Sequence, residues 1–587
     1  MSESDHPMSP SPAASNLAEP ATTQQIPVTE RDFNRQAGLR LLGYGLLSVL
    51  AVAVLMGLLS VLGSSGGGLN EAVDYEAGTI TLALRQEPPQ LDSTKATDQV
   101  SGMILGHVTE GLLRYDAENR LAPGVAERWD VGEREATFWL RKDARWNDGS
   151  SVSAHDFVFA WQKVVDPNNA SEYAFFLYPI KNGEAIGNGQ LPPSALGVRA
   201  IDDHTLHVEL EKPIAYFEKL VAFSTYNPVK QSFYESTKGR YGADADTLLY
   251  NGPFSIASWV HGASLRMEKN SHYWDKQRAR LNTIDFAYVT SDTNATLNLF
   301  KANSIAYTSL STENLPDALN QRFPMQRFMD GSVFYIAFNY REGRVTGNRH
   351  LRKAMQLVND PSELINKVIK IPGNLPGESL FPVWLRGVDG YFRQEYPAPV
   401  AERDIKAARR HLELAKQELG VTQIPPLMLL SGEDPLSAKQ SEYYQDLFRR
   451  TLGLDIRLDK QIFKQRLAKM TSGDYDMVLA GWGPDFDDPL TFGDLMSSWN
   501  LNNRGRYNNP ELDKWVRVAQ NSLEPQVRMD AFGEIQNILF DDAVVLYNYE
   551  RGQIYVTHPR LQGLVRRAVG SDPDFSNAYI LPEQGSS

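Results

Sequence analysis

Residues 137–163 read TFWLRKDARWNDGSSVSAHDFVFAWQK, a β-type apolar run, a polar turn and a capped helical start in immediate succession. Ala136 to Leu140 is rich in aromatic and β-branched side chains and leads into polar residues, as a strand ending in a turn does. Ser153-Ala154-His155-Asp156 then precedes Phe157, Phe159, Ala160 and Trp161, so a Ser cap opens a helix with an apolar face. Working outward, the patterning predicts strands at 79–84, 205–210, 334–338, 455–458 and 544–549. It predicts helices at 351–358, 363–369, 404–419 and 441–452. The alternation in 205–210, after the Asp202-Asp203 turn, suits a half-buried antiparallel strand. The unbroken apolar run 334–338 suits a strand covered on both faces and the start of another lobe. Pro559 marks a break before a tail-like closing segment. These elements add up to a mixed α/β fold.

The chain has 587 residues, too many for one hydrophobic core, so at least two lobes are expected. Hydrophobic residues at 42% and charged residues at 22% are globular proportions. A net charge of −13 argues against a nucleic-acid partner, which requires a clustered basic surface. The absence of cysteine removes disulfides, thiolate metal sites, a cysteine nucleophile and a lipid-modified N-terminal cysteine.

Residues 1–38 open with a stretch rich in Ser, Pro, Ala, Thr and Gln and are expected to be a disordered cytoplasmic tail. Residues 39–63 contain LRLLGYGLLSVLAVAVLMGLLSVL, with Arg40 as its one charge, long enough to cross a hydrocarbon core of roughly 30 Å. Arg31, Arg35 and Arg40 precede this segment, whereas Glu71, Asp74 and Glu76 follow it before Arg85, so the bulk of the chain is placed outside the cytoplasm. The long preceding region favours an uncleaved anchor over a signal peptide. Residues 64–78, beginning with a Ser/Gly run, are read as a flexible linker.

Reaction machinery is missing from the pattern: there is no phosphate loop, His-Glu-x-x-His, Gly-x-Ser-x-Gly or dinucleotide fingerprint. His204 and His207 fall on opposite faces of their strand, which suits solvated or core histidines better than shared metal ligands, and His155 is read the same way. Asp485, Asp487 and Asp488 form an acidic cluster without calcium-loop spacing, so a cation held there need not be a metal.

EGLLRYDAENRLAPGVAERWD at 110–130, the quoted 137–163 stretch, VDPNNASEYA at 165–174 and GVRAIDDHTLHVEL at 197–210 occur in one order with YNGPFSIASW at 250–259, HLRKAMQLVND at 350–360 and AGWGPDFDDP at 480–489. This series closely resembles the extracytoplasmic solute-binding proteins of peptide ABC importers, family 5, and within them the oligopeptide-binding members. The resemblance covers nearly everything from Thr79 onward. It implies a two-lobed periplasmic-binding-protein fold of type II, cluster C-like, with an extra subdomain. Lobe I would be 79–330 plus a return at 553–587, the extra subdomain about 110–236, and lobe II 331–552, joined by two crossing strands.

The resemblance also implies a protein that captures short peptides between its lobes and passes them to permease subunits driven by cytoplasmic ATPases. It would act as a monomer without cofactor or catalysed reaction. The alternatives are a nickel chelate, murein peptide, sugar or signalling peptide as ligand, a sensor role, or an extracytoplasmic hydrolase for which no converging catalytic set is found. Asp485 matches the acid that holds the peptide α-ammonium, a role that fits a carboxylate buried by lobe closure. Gly481 and Gly483 would allow main-chain approach to the ligand, Tyr173 would line the cleft and Trp482 would wall a side-chain pocket. Met470, Leu479 and Thr97 stand where the close relative has two arginines and an acid. That departure predicts an apolar replacement of a buried ionic cluster and leaves the peptide carboxylate without its usual partner.

Overall fold

A computed structural model describes residues 71–583. The expected tail at 1–38, the apolar segment at 39–63 and the first part of the expected linker lie outside the described residues. The last part of that linker belongs to the fold: Ala72 and Val73 are buried, and Val73–Asp74 pairs antiparallel with the start of Thr79–Leu84. Among the described residues no helix is long and apolar enough to cross a membrane.

Thr79–Leu84 is a strand because its apolar, β-branched residues can be covered on both sides, and it runs parallel to the distant strand Thr283–Val289. Ser264–Lys269 and Phe254–Val260 complete a five-stranded sheet on the far side of Thr283–Val289. The chain between the parallel partners builds a separate antiparallel sheet, ordered Ala126–Val131, Glu135–Leu140, Thr205–Glu209 and Val198–Asp202. In Thr205–Glu209 the alternation works as read, with Leu206 and Val208 turned inward. The Ala154–Val165 helix buries Phe157, Ala160 and Trp161, and its cap is reciprocated: Ser153 N donates to Asp156 Oδ2 at 2.9 Å. Trp161 Nε1 donates to the Tyr226 carbonyl at 2.9 Å, and the Tyr226 hydroxyl donates to the Phe176 carbonyl in the turn that follows Tyr173.

A third sheet is organised by two long antiparallel strands, Met325–Phe338 and Val545–Thr557. Their outer halves, Met325–Met329 and Gly552–Val556, pair beside the short strand Tyr307–Ser309. Their inner halves join Met477–Trp482 and then the parallel strands Leu427–Gly432 and Ile456–Gln461. The register breaks between Met329 and Val333, where Gly331 takes a φ of +76° that an L side chain resists. The apolar run at 334–338 is therefore the inner end of one long strand rather than a short element of its own.

The Pro435–Leu452 helix starts six residues before the predicted Ser441, because Asp434 caps it by accepting from Ser437 N at 3.1 Å and Pro435 fits the first turn. The 363–369 pattern resolves into a short helix, Pro361–Leu364, passing into the π-helical turn Ile365–Ile369. The segment after Pro559 is not tail-like. Arg567, Asp574 and Phe575 are buried, and His107 Nε2 accepts from Phe575 N at 2.9 Å. Its polar composition disguised the burial: Arg566 pairs with Asp572 and Arg567 with Asp574 within the segment, and Arg278 reaches Asp574 from outside it.

Candidate binding cleft

Asp485, Trp482, Gly481, Gly483 and Tyr173 all line one cavity of about 1070 Å³. This is at the upper end for a drug-sized ligand and suits an extended molecule. Tyr173 sits just before the short helical turn Ala174–Leu177, with its ring stacked on Phe176 at 4.6 Å and edge-on to Trp482 at 6.5 Å. That packing aims the phenol, whose hydroxyl donates to Asp485 Oδ1 at 3.0 Å. The Asp485 loop is anchored by its own N–H, which donates to Thr491 Oγ1 at 2.9 Å.

Asp485 Oδ2 is inaccessible and has no hydrogen-bond partner among the described residues, and neither has Trp482 Nε1. Burial pushes the Asp485 carboxyl up to about 8, against the smaller opposing effect of the Tyr173 hydrogen bond. Asp494 lies beneath it, held far above the usual carboxylate range by burial and by the neighbouring Asp485. The acidic cluster read from the sequence disperses. Asp488 turns away into a bidentate pair with Arg528, at 2.6 and 2.9 Å, and Asp487 faces Lys219 at 3.7 Å. No group of three or more metal-ligating side chains converges among the described residues.

The two glycines have packing reasons of their own. A Cβ on Gly481 would stand 2.7 Å from the Phe334 ring, which stacks on Tyr549 at 4.7 Å. A Cβ on Gly483 would stand 2.1 Å from Gln99 Nε2. Met477–Trp482 pairs with Leu427–Gly432 only as far as Val478. The residues beyond it keep one unpaired edge facing the cavity.

Met470 and Leu479 are buried and apolar, as their identities require, with Met470 packed on Leu430, Tyr475 and Val478. A different ion pair stands close by. Thr97 Oγ1 donates to Glu172 Oε2 at 3.3 Å, and Arg504 Nη2 reaches the same oxygen at 2.6 Å. A half-buried pair thus stands beside Thr97, built from residues 332 positions apart that no local pattern connects. The sequence reading also missed Arg466, whose helix position in Phe463–Ser472 looks like an ordinary surface arginine.

The chain matches the family described as "Bacterial extracellular solute-binding proteins, family 5 Middle" over residues 120–503. It is 30% identical to the oligopeptide-binding protein OppA of Bacillus subtilis, across 88% of this chain and 95% of that one. Among solved structures, the substrate-binding domain of an oligopeptide ABC transporter from Bacillus anthracis superposes with a TM-score of 0.83 at 33% identity, covering 87% of this chain and all of the other. Listeria monocytogenes OppA bound to peptide gives 0.81 at 32% identity, with 86% and 99% covered. The family match spans most of the chain and the solved relatives share its mixed α/β fold, so the chain belongs to the bacterial extracellular solute-binding proteins of family 5.

Proposed function

We propose that this protein captures short peptides in its cleft and delivers them to an ABC importer, with Asp485 holding the peptide α-ammonium. The observation that carries the reading is the Asp485 carboxylate itself: one oxygen is fixed by Tyr173, the other has no partner, and both belong to a cavity long enough for an extended chain. A cation arriving there satisfies a group whose isolation costs several kcal/mol, on the order of what a buried unpaired charge loses. Trp482 and Tyr173 wall the site, and the open edge past Val478 offers main-chain pairing that is indifferent to side chains.

The lobes in this reading are residues 79–330 with 553–587, and 331–552, and they close about the strand crossing at Gly331 and Gly552, where the register breaks. No reaction is catalysed. Segment 39–63 tethers the binding unit to the outer, periplasmic or extracellular, face of the cytoplasmic membrane, next to its permease.

The test is to compare free peptides with their N-acetylated forms on the full chain, alongside mass spectrometry of whatever co-purifies. Free amino termini should be strongly preferred and the retained ligands should be peptides. Equal binding of acetylated peptides would remove the role assigned to Asp485, and retention of a non-peptide ligand would overturn the substrate class. A mature N-terminus near Ser64 would exclude the uncleaved anchor.

A further inference from the structure

The hairpin turn between Phe254–Val260 and Ser264–Lys269 carries His261 and Gly262, and Gly262 lines the cavity together with the 85–89 segment. Both ring nitrogens of His261 face carboxylates. Nδ1 meets Glu87 Oε1, and Nε2 stands 3.0 Å from Asp244 Oδ1. The second Glu87 oxygen accepts from Gly262 N at 3.0 Å, and the second Asp244 oxygen takes Arg240. The Trp259 ring lies 4.4 Å from the imidazole, centre to centre. Three segments meet here, 85–89, 240–247 and 259–263, and their remaining charged residues are Arg85 and Asp246.

An imidazole donates from both nitrogens only when it carries the extra proton. The neutral ring keeps one of the two contacts and turns a lone pair on the other carboxylate. The bridge from Glu87 to Asp244 therefore exists in one protonation state alone. Asp244 first and Glu87 second raise the ring above its ordinary 6.5, and the side chain is half exposed, so its proton exchanges freely with solvent. The bridge is complete below 6.5 and is lost as pH rises through the raised value. Its consequence reaches across the cleft. Two residues before Glu87, the Arg85 guanidinium stands 3.3 Å from Asp434 Oδ1, and Asp434 caps the Pro435–Leu452 helix on the other side of the cavity.

We propose that His261 is a proton-operated clamp on the cleft rim: its imidazolium fastens segment 85–89 to segment 240–247, keeps Arg85 on Asp434 across the cleft, and slows release of a bound peptide, which deprotonation speeds. The proposal rests on the peptide-binding reading above. Arg85 is more than half exposed, so its contact is of the weak, solvent-screened kind, and the clamp modulates release by about two- to fivefold rather than switching it.

Two measurements test it. The ring is followed by NMR in the full chain labelled with 13C-histidine, its signal among ten histidines identified by its loss in His261→Gln. It should titrate above 6.5, and Glu87→Gln should bring its midpoint down. Release of a short peptide is then timed by stopped flow for the wild type, His261→Gln and Arg85→Gln, one pH unit or so below and above that midpoint. The ratio of His261→Gln to wild type cancels the titration of Asp485, which both chains share. That ratio should be about two to five at the lower pH and fall to about one at the higher. Arg85→Gln should release as fast as His261→Gln at the lower pH, and a wild-type rate there would overturn the route through Asp434. A ring that titrates at or below 6.5 overturns the clamp, and so does a ratio that is the same at both pH values, in either case leaving the peptide reading standing. A chain that binds no peptide at either pH overturns that reading and the clamp with it.

Discussion

Asp574 and Asp485 are both carboxylates withdrawn from water, one in the closing segment of the chain and the other in the wall of the cleft. Asp574 has both oxygens occupied, by Arg567 Nη2 at 2.6 Å and by Ser576 N at 2.8 Å, with Arg278 a further 3.7 Å contact. Against the upward push of burial, Arg278 and Arg567 hold it well below the usual carboxylate range. Glu110 in the same network is equally complete, receiving Tyr273 and Trp274 on its two oxygens. Asp485 has one oxygen occupied and one idle, and burial drives it the other way. The Asp574 carboxylate is thus fully partnered inside the fold, whereas Asp485 keeps one oxygen without a partner among the described residues.

The largest effect expected from that contrast is on stability. Asp574→Ala leaves Arg278 and Arg567 buried without their shared counter-charge and should cost roughly 3–5 kcal/mol in denaturant unfolding. Asp485→Ala should leave the unfolding midpoint unchanged or raise it, since it removes a buried carboxyl with one oxygen unpaired and no cationic partner. A large loss in the second variant would break the distinction drawn here. In binding the ranking reverses: Asp485→Ala should weaken peptides with free amino termini by more than about 2 kcal/mol, measured by calorimetry.

The pH dependences should also run in opposite directions. The raised Asp485 carboxyl contributes stability that is complete below the unfolded value of 3.8 and is lost as pH rises through about 8. The depressed Asp574 carboxyl contributes stability present above 3.8 and lost as pH falls below it. Comparing unfolding curves of the unliganded wild type and Asp485→Asn across this range should isolate the first slope, and its absence would contradict the burial described. Peptide affinity should rise with pH as Asp485 ionises and level off where the peptide ammonium itself titrates, at about 7.7–8.0. Below that pH, binding should release protons, which calorimetry in buffers of different ionisation heat detects.

A smaller effect is expected at Tyr173. Tyr173→Phe removes one hydrogen bond to Asp485, worth about 1 kcal/mol in affinity, and shifts the acidic limb of the pH profile upward because the phenol stabilises the ionised carboxylate. An unchanged profile would mean that the ring matters only for packing.

Much of the cleft was legible because its features are local. The Gly/Pro-rich loop around Asp485, the aromatic at Trp482 and the capped helix at Ser153 are written in consecutive residues, where spacing and turn chemistry act directly. The closing segment was misread because polar composition resembles a tail until its partners are known. Glu172 and Arg504 could not be paired in advance, since their contact depends on two loops meeting across the cleft.

The sequence by itself determined the mixed α/β elements and the exclusion of cysteine and nucleotide chemistry, because periodicity, composition and turn residues are properties of neighbours in the chain, while the acid of the cleft loop was named through the resemblance of its motif. Only the tertiary structure decided which charges are complete and which are left open. That Arg504 is neutralised while Arg466 is not, and that the Met477–Trp482 strand keeps a free edge past Val478, follow from long-range packing, which sets desolvation and partner distance.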